Sequence, residues 1–87
     1  MVMTENAIFA DFAEIVEEFT GVPAGDVTLQ ADLGDDLDID SLCLVEIVTS
    51  VQERFLIEIP DEDLKNLKTV QDVVSYVRRV QRSGVSA

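Results

Sequence analysis

In three separate segments of this chain apolar residues recur at one-, three- or four-residue intervals, and no stretch is read as an alternating strand. Such a period gives helices with one apolar face and argues against a sheet protein. In the first segment, residues 4–20, Ile8, Phe9, Phe12, Ile15, Val16 and Phe19 are separated by Glu5, Asp11, Glu14, Glu17 and Glu18. Gly21 is placed to take a left-handed cap and Pro23 cannot continue the ladder, so this helix ends there. The second helix is expected from about Ser41 to Phe55, with Asp40 as its N-cap and Ile57, Ile59 and Pro60 beyond its end. Asp61-Glu62-Asp63-Leu64 fits one helical turn after Pro60, with acids near its positive end. Thr69 and Asp72 are placed to cap a last helix striped by Val70, Val73, Val74, Val77 and Val80. Valine also suits strands, but this spacing is helical. Between the first two helices, residues 21–39 carry Val22, Val27, Leu29, Leu33, Leu37 and Ile39 without a sustained period. A loop this long and this apolar is expected to be pinned onto the core. The expected fold is therefore all-α: a four-helix bundle with three long helices, one short helix, and a long loop between the first and second.

The 87 residues suit a single domain spanning 1–87, with a core over about 5–80 and a flexible tail at 81–87. Hydrophobic residues make up 47% of the chain, enough for a core and too many for a disordered acidic segment. Charge narrows the partners. Residues 1–53 hold 13 acids and no base, while the rest holds 5 acids and 6 bases, giving −12 in all. The first half would repel nucleic acid and anionic membranes, and it fits a basic protein surface. Arg78, Arg79 and Arg82 are read as complementing the dipole at a helix end rather than as a phosphate site. Cys43 is the only cysteine, so the chain can form no internal disulfide or thiolate metal cluster, and a reducing compartment is expected. The start has no basic region and no apolar run approaches the roughly 18 residues of a membrane span. The expectation is a cytoplasmic monomer without membrane insertion.

At about 100° per residue, Leu44, Ile47, Val48, Val51 and Phe55 share one face of the second helix. Leu42, Val45 and Thr49 fall on a different arc, with Glu46 and Glu53 beside them. Two readings stay open: Leu42 and Val45 widen the core face, or they form an acid-rimmed strip that docks a basic partner. Ser41 also has two readings. It is a helix cap, or, if Asp40 caps instead, its free hydroxyl would accept a phosphodiester near the orphan amides of the helix start. Ser41 is not a self-activated nucleophile, because the chain has no histidine and the nearest lysine in sequence is Lys65. Cys43 likewise lacks an imidazole and sits among acids that disfavour a thiolate. Asp36, Asp38 and Asp40 imitate the first ligands of a calcium loop, but Ser41 stands where glycine is needed and Ile47 where a glutamate is needed. No dedicated metal site is expected.

The string Asp36-Leu37-Asp38-Ile39-Asp40-Ser41-Leu42, followed by Val45-Glu46-Ile47, Phe55 and Ile59-Pro60-Asp61-Glu62-Asp63, resembles the acyl carrier protein family. Leu67-Lys68-Thr69-Val70 and Val73 resemble the start of that family's last helix, and the likeness covers about residues 5–80. The wording is nearest to free-standing actinobacterial carriers of dissociated fatty acid synthesis, including those serving mycolate-type chains. The resemblance implies that Ser41 carries 4′-phosphopantetheine, attached by a separate phosphopantetheinyl transferase (a holo-carrier synthase). The chain would then hold fatty acyl intermediates as thioesters and would not itself be an enzyme. The implied partners are that transferase and the acyl transferase, ketosynthase and reductases of dissociated fatty acid or polyketide synthesis. Docking would fall to Asp40, Leu42, Val45, Glu46 and Glu53. Leu44, Ile47, Val51, Phe55, Ile59 and Leu64 would line an acyl pocket. The family's pattern is departed from at Cys43, Gln52 and Arg54, where further acids are common, and at Thr49, where methionine or another apolar residue is commoner. A polyketide carrier and an unmodified acidic interaction module are the alternative functions.

Overall fold

The structure, a computed structural model, describes residues 4–82. Helices α1 (Glu5–Thr20), α2 (Ser41–Phe55), α3 (Asp61–Leu64) and α4 (Val70–Arg82) follow one another, with a 3₁₀ turn at Ala24–Asp26 in the long loop. Among the described residues there is no strand, only an isolated antiparallel bridge between Asp32 and Thr69. The all-α architecture expected from the periodicity is present. Thr4 caps α1 by accepting the Ala7 amide at 3.2 Å. Gly21 ends that helix with φ 81°, its amide donating to the Glu17 carbonyl at 2.9 Å. α1 packs against both α2 and α4 through Ile8, Phe12, Ala13, Ile15 and Val16. Phe19, in its last turn, is left exposed.

The loop is held to the core by side chains and to α4 by backbone. Val27, Ala31, Leu33, Leu37 and Ile39 are buried, and Val22 and Leu29 pack half-buried against them. The Leu29 carbonyl accepts the Gln71 amide at 2.9 Å, and the Ala31 carbonyl accepts the Val70 amide at 3.1 Å. The Leu33 amide donates to the Lys68 carbonyl at 2.8 Å. Thr69 Oγ1 accepts the Asp72 amide at 3.2 Å, and Asp72 Oδ2 accepts the amides of Lys68 and Thr69. The first amides of α4 are thus satisfied by a reciprocal cap and by loop carbonyls, which fixes where the loop lies.

α2 ends at Leu56, whose amide donates to the Gln52 carbonyl and whose backbone is left-handed at φ 57° and ψ 48°. A side-chain-bearing residue in that conformation costs about 1–2 kcal/mol. Gln52 also accepts the Ile59 amide on its Oε1 at 2.7 Å, so one residue organises the turn into α3. Arg54 reaches back from α2 to Asp11 (3.3 Å) and Glu14 (3.0 Å) on α1. α4 continues through Gln81 and Arg82, two residues that the sequence places in a tail. The amphipathic period carries the helix to Arg82, and the rest of that tail, 83–87, lies outside the described residues.

α3 is braced against α4 by the Tyr76 hydroxyl, which donates to Asp63 Oδ2 at 2.8 Å, while the Arg79 guanidinium lies 5.5 Å from the Tyr76 ring centre. Burial first, then the bond to Asp63, pushes the Tyr76 phenol up to about 12. Because this value is raised above that of the unfolded chain, near 10, the folded state holds the proton more tightly. The contribution is complete below about pH 10 and is lost as pH rises toward 12. With one tyrosine and no tryptophan, phenolate absorbance reports this group alone. The native midpoint is expected well above that in denaturant, with stability falling through the same window. Tyr76→Phe should flatten that alkaline fall, and a native midpoint near 10 would contradict the assignment.

Candidate functional site

The start of α2 is shaped by Asp40, which has extended backbone and whose Oδ1 accepts the Cys43 amide at 2.8 Å. The capping role therefore falls to Asp40. Ser41, the first helical residue, is exposed, and its hydroxyl has no hydrogen-bond partner among the described residues. The amides of Ser41 and Leu42 find no protein acceptor there either. An exposed, unbonded hydroxyl beside orphan helix amides fits a singly charged phosphodiester, which neighbouring carboxylates oppose less than a dianion. Cys43, two residues on, is half-buried. Burial, then Asp40 and Glu46, push its thiol above the ordinary value, so the thiolate is disfavoured.

One face of α2 packs on the core and the opposite one faces solvent. Ile47, Val51 and Phe55 are buried, and Leu44 and Val48 are half-buried against the same cluster. Leu42 is 74% and Val45 55% exposed, so neither widens the core. Glu46, Thr49 and Glu53 are exposed on the same side, and Thr49 Oγ1 donates to the Val45 carbonyl at 3.0 Å. Arg54, the one base in α2, is drawn off to α1 by its two acids, so the strip keeps an acidic rim.

Beneath α2 lies an enclosed apolar cavity of about 10 Å³, room for one water at most. Leu44, Ile47, Val51 and Ile59 line it. Phe55 and Leu64, the other two residues expected to line an acyl pocket, do not border this cavity. Phe55 is buried one turn past Val51 and fills the end of the α2 interface, and Leu64 sits half-buried on α3, which the Tyr76–Asp63 bond braces against α4. The remaining lining comes from Phe12, Leu33, Ile39, Val48, Leu67 and Val73. Most belong to other segments, and a single helix's period does not reveal which of them share a cavity. The aspartates before Ser41 do not gather as ligands. Asp36 Oδ2 accepts the Asp32 amide at 2.8 Å, and among the described residues no three acidic or thiol groups converge on a metal position. No helix among the described residues is long and apolar enough to cross a membrane.

A four-helix fold whose second helix starts with an exposed serine, unbonded among the described residues, is also what comparisons with known proteins bring forward. The family model described as the phosphopantetheine attachment site matches residues 10–77. The acyl carrier protein of Thermobifida fusca is 51% identical over 79 residues, covering 91% of this chain and 100% of that protein. The meromycolate extension acyl carrier protein of Mycolicibacterium smegmatis is 44% identical over 87 residues, covering 100% of this chain and 88% of that protein. Among solved structures, the acyl carrier protein from Enterococcus faecalis superposes with a TM-score of 0.75 at 32% identity, over 88% of this chain and 98% of that one. The chain belongs to the acyl carrier protein family, and its working group is 4′-phosphopantetheine.

Proposed function

We propose that this chain is a free-standing, cytoplasmic, monomeric carrier of dissociated fatty acid synthesis, a single domain with 4′-phosphopantetheine on Ser41. The observation that carries the reading is the Ser41 hydroxyl, exposed and unbonded because Asp40 takes the cap. When attached, the group supplies a terminal thiol that holds acyl chains as thioesters. The chain's own residues do the rest. Ser41 offers the hydroxyl, and its amide and that of Leu42, without acceptors among the described residues, would be available to the phosphodiester. Leu42 and Val45 give a partner enzyme apolar contact, while Asp40, Glu46 and Glu53 steer its basic face. The transferase supplies the base that this chain lacks. Under α2, Leu44, Ile47, Val51 and Ile59 would hold the acyl chain, if the cavity between them widens. Similarity along the whole chain to proteins named for meromycolate extension favours long acyl chains as cargo.

The test is intact mass after incubation with coenzyme A, Mg²⁺ and a broad-specificity phosphopantetheinyl transferase, followed by proteolytic mapping. One added phosphopantetheine on the peptide holding Ser41 is expected. An unchanged mass with several transferases would return the chain to the class of acidic interaction modules.

A further inference from the structure

Leu56 is the most exposed large apolar residue among the described ones, at 89%, and it is held in a left-handed turn that suits glycine. Neither packing nor backbone geometry accounts for leucine there. The Leu56 amide still bonds the Gln52 carbonyl, so continuing the helical step of about 100° past Phe55 brings the backbone of position 56 between Leu42 and Val45 in projection, at the end of the strip that also holds Thr49. Exposed Glu53 and Glu58 stand on either side of it in sequence, and no base intervenes, because Arg54 is turned to Asp11 and Glu14.

We infer that Leu56 is a second apolar anchor, and that it fits a second apolar socket on a basic enzyme face. At 1.5 Å per residue, that socket lies about 20 Å from the one that takes Leu42. This rests on the carrier reading above. The occupant is argued from continuity with the Leu42–Val45 strip and from the acids that border both ends, which call for a basic partner. A narrow contact at the Ser41 end would leave Leu56 in water.

The test compares Leu56→Asn with Leu42→Ala in the full chain, using a phosphopantetheinyl transferase and a ketosynthase as probes. Asparagine tolerates the left-handed backbone, so the fold is kept and the melting temperature should hold or rise. Leu56→Gly serves as a second variant for the same reason. The expected result is a rise of about tenfold in KM, with kcat little changed, for at least one probe enzyme in both Leu56 variants. If Leu42→Ala raises KM but both Leu56 variants stay within about twofold for both enzymes, the second anchor is wrong and the carrier reading stands. If Leu42→Ala has no effect either, or the wild-type chain is not modified at all, the carrier docking face itself is refuted, and the second anchor with it.

Discussion

Ser41→Ala is expected to abolish phosphopantetheine transfer completely while leaving the fold as stable as before. Both halves follow from the geometry at the start of α2. The hydroxyl makes no hydrogen bond among the described residues, so removing it orphans nothing, and alanine is the better helix former. A side chain that capped the helix would behave in the opposite way. Asp40→Ala supplies that contrast, because it deletes the acceptor of the Cys43 amide and should cost about 1 kcal/mol of stability. It should slow modification without preventing it, since the hydroxyl remains. Intact mass and thermal melting of the two variants check this together. If Ser41→Ala melted lower than Asp40→Ala, Ser41 rather than Asp40 would be the cap, and the carrier reading would lose its free hydroxyl.

The contrast also shows what the sequence could disclose. The three long helices were legible because burial on one face enforces a period, the short one from Pro60 and the acids after it, and the caps at Thr69, Asp72, Asp40 and Gly21 are side-chain or glycine signals that survive without coordinates. The pinning of the loop was legible from its apolar residues, yet its course was not. The bonds from Val70 and Gln71 to Ala31 and Leu29 are backbone to backbone; the alternation of Val27, Leu29, Ala31 and Leu33 with polar residues marks which side of the loop meets the core, but not which backbone it bonds. Gln52 is a similar case. As a departure from the family's acids it reads as a partner-specific change, whereas in the fold its amide oxygen holds the Ile59 amide and shapes the turn into α3. The solvent strip could be found from angular position alone, but excluding a wider core needed the exposure of Leu42 and Val45. Of the six residues that the resemblance offers for an acyl pocket, four border this cavity, and its far wall, from α1, the loop and α4, depends on which helices pack together.

That far wall is the basis of the other large effect. Phe12 is 1% exposed, packs where α1 meets its neighbours, and closes the cavity opposite Ile47 and Val51. Phe12→Ala should cost about 3–5 kcal/mol, the sum of lost burial and the space left behind. A domain of this size commonly has only about 5–15 kcal/mol in total, and a net charge of −12 draws on it further. The variant is therefore expected to be partly unfolded at low salt and to recover as added salt or Mg²⁺ screens the acids. The space opened by losing the ring lies where the acyl chain is proposed to go. Each methylene buried there contributes about 0.8 kcal/mol, so four or five would offset most of the loss. Melting the variant loaded with acyl groups of increasing length should show recovery with chain length, steeper than in the wild-type chain, whose 10 Å³ cavity must first be pushed open. A variant that melts at the same temperature whatever its acyl length would place the chain elsewhere on the protein, because no other route lets added methylenes repair this wall.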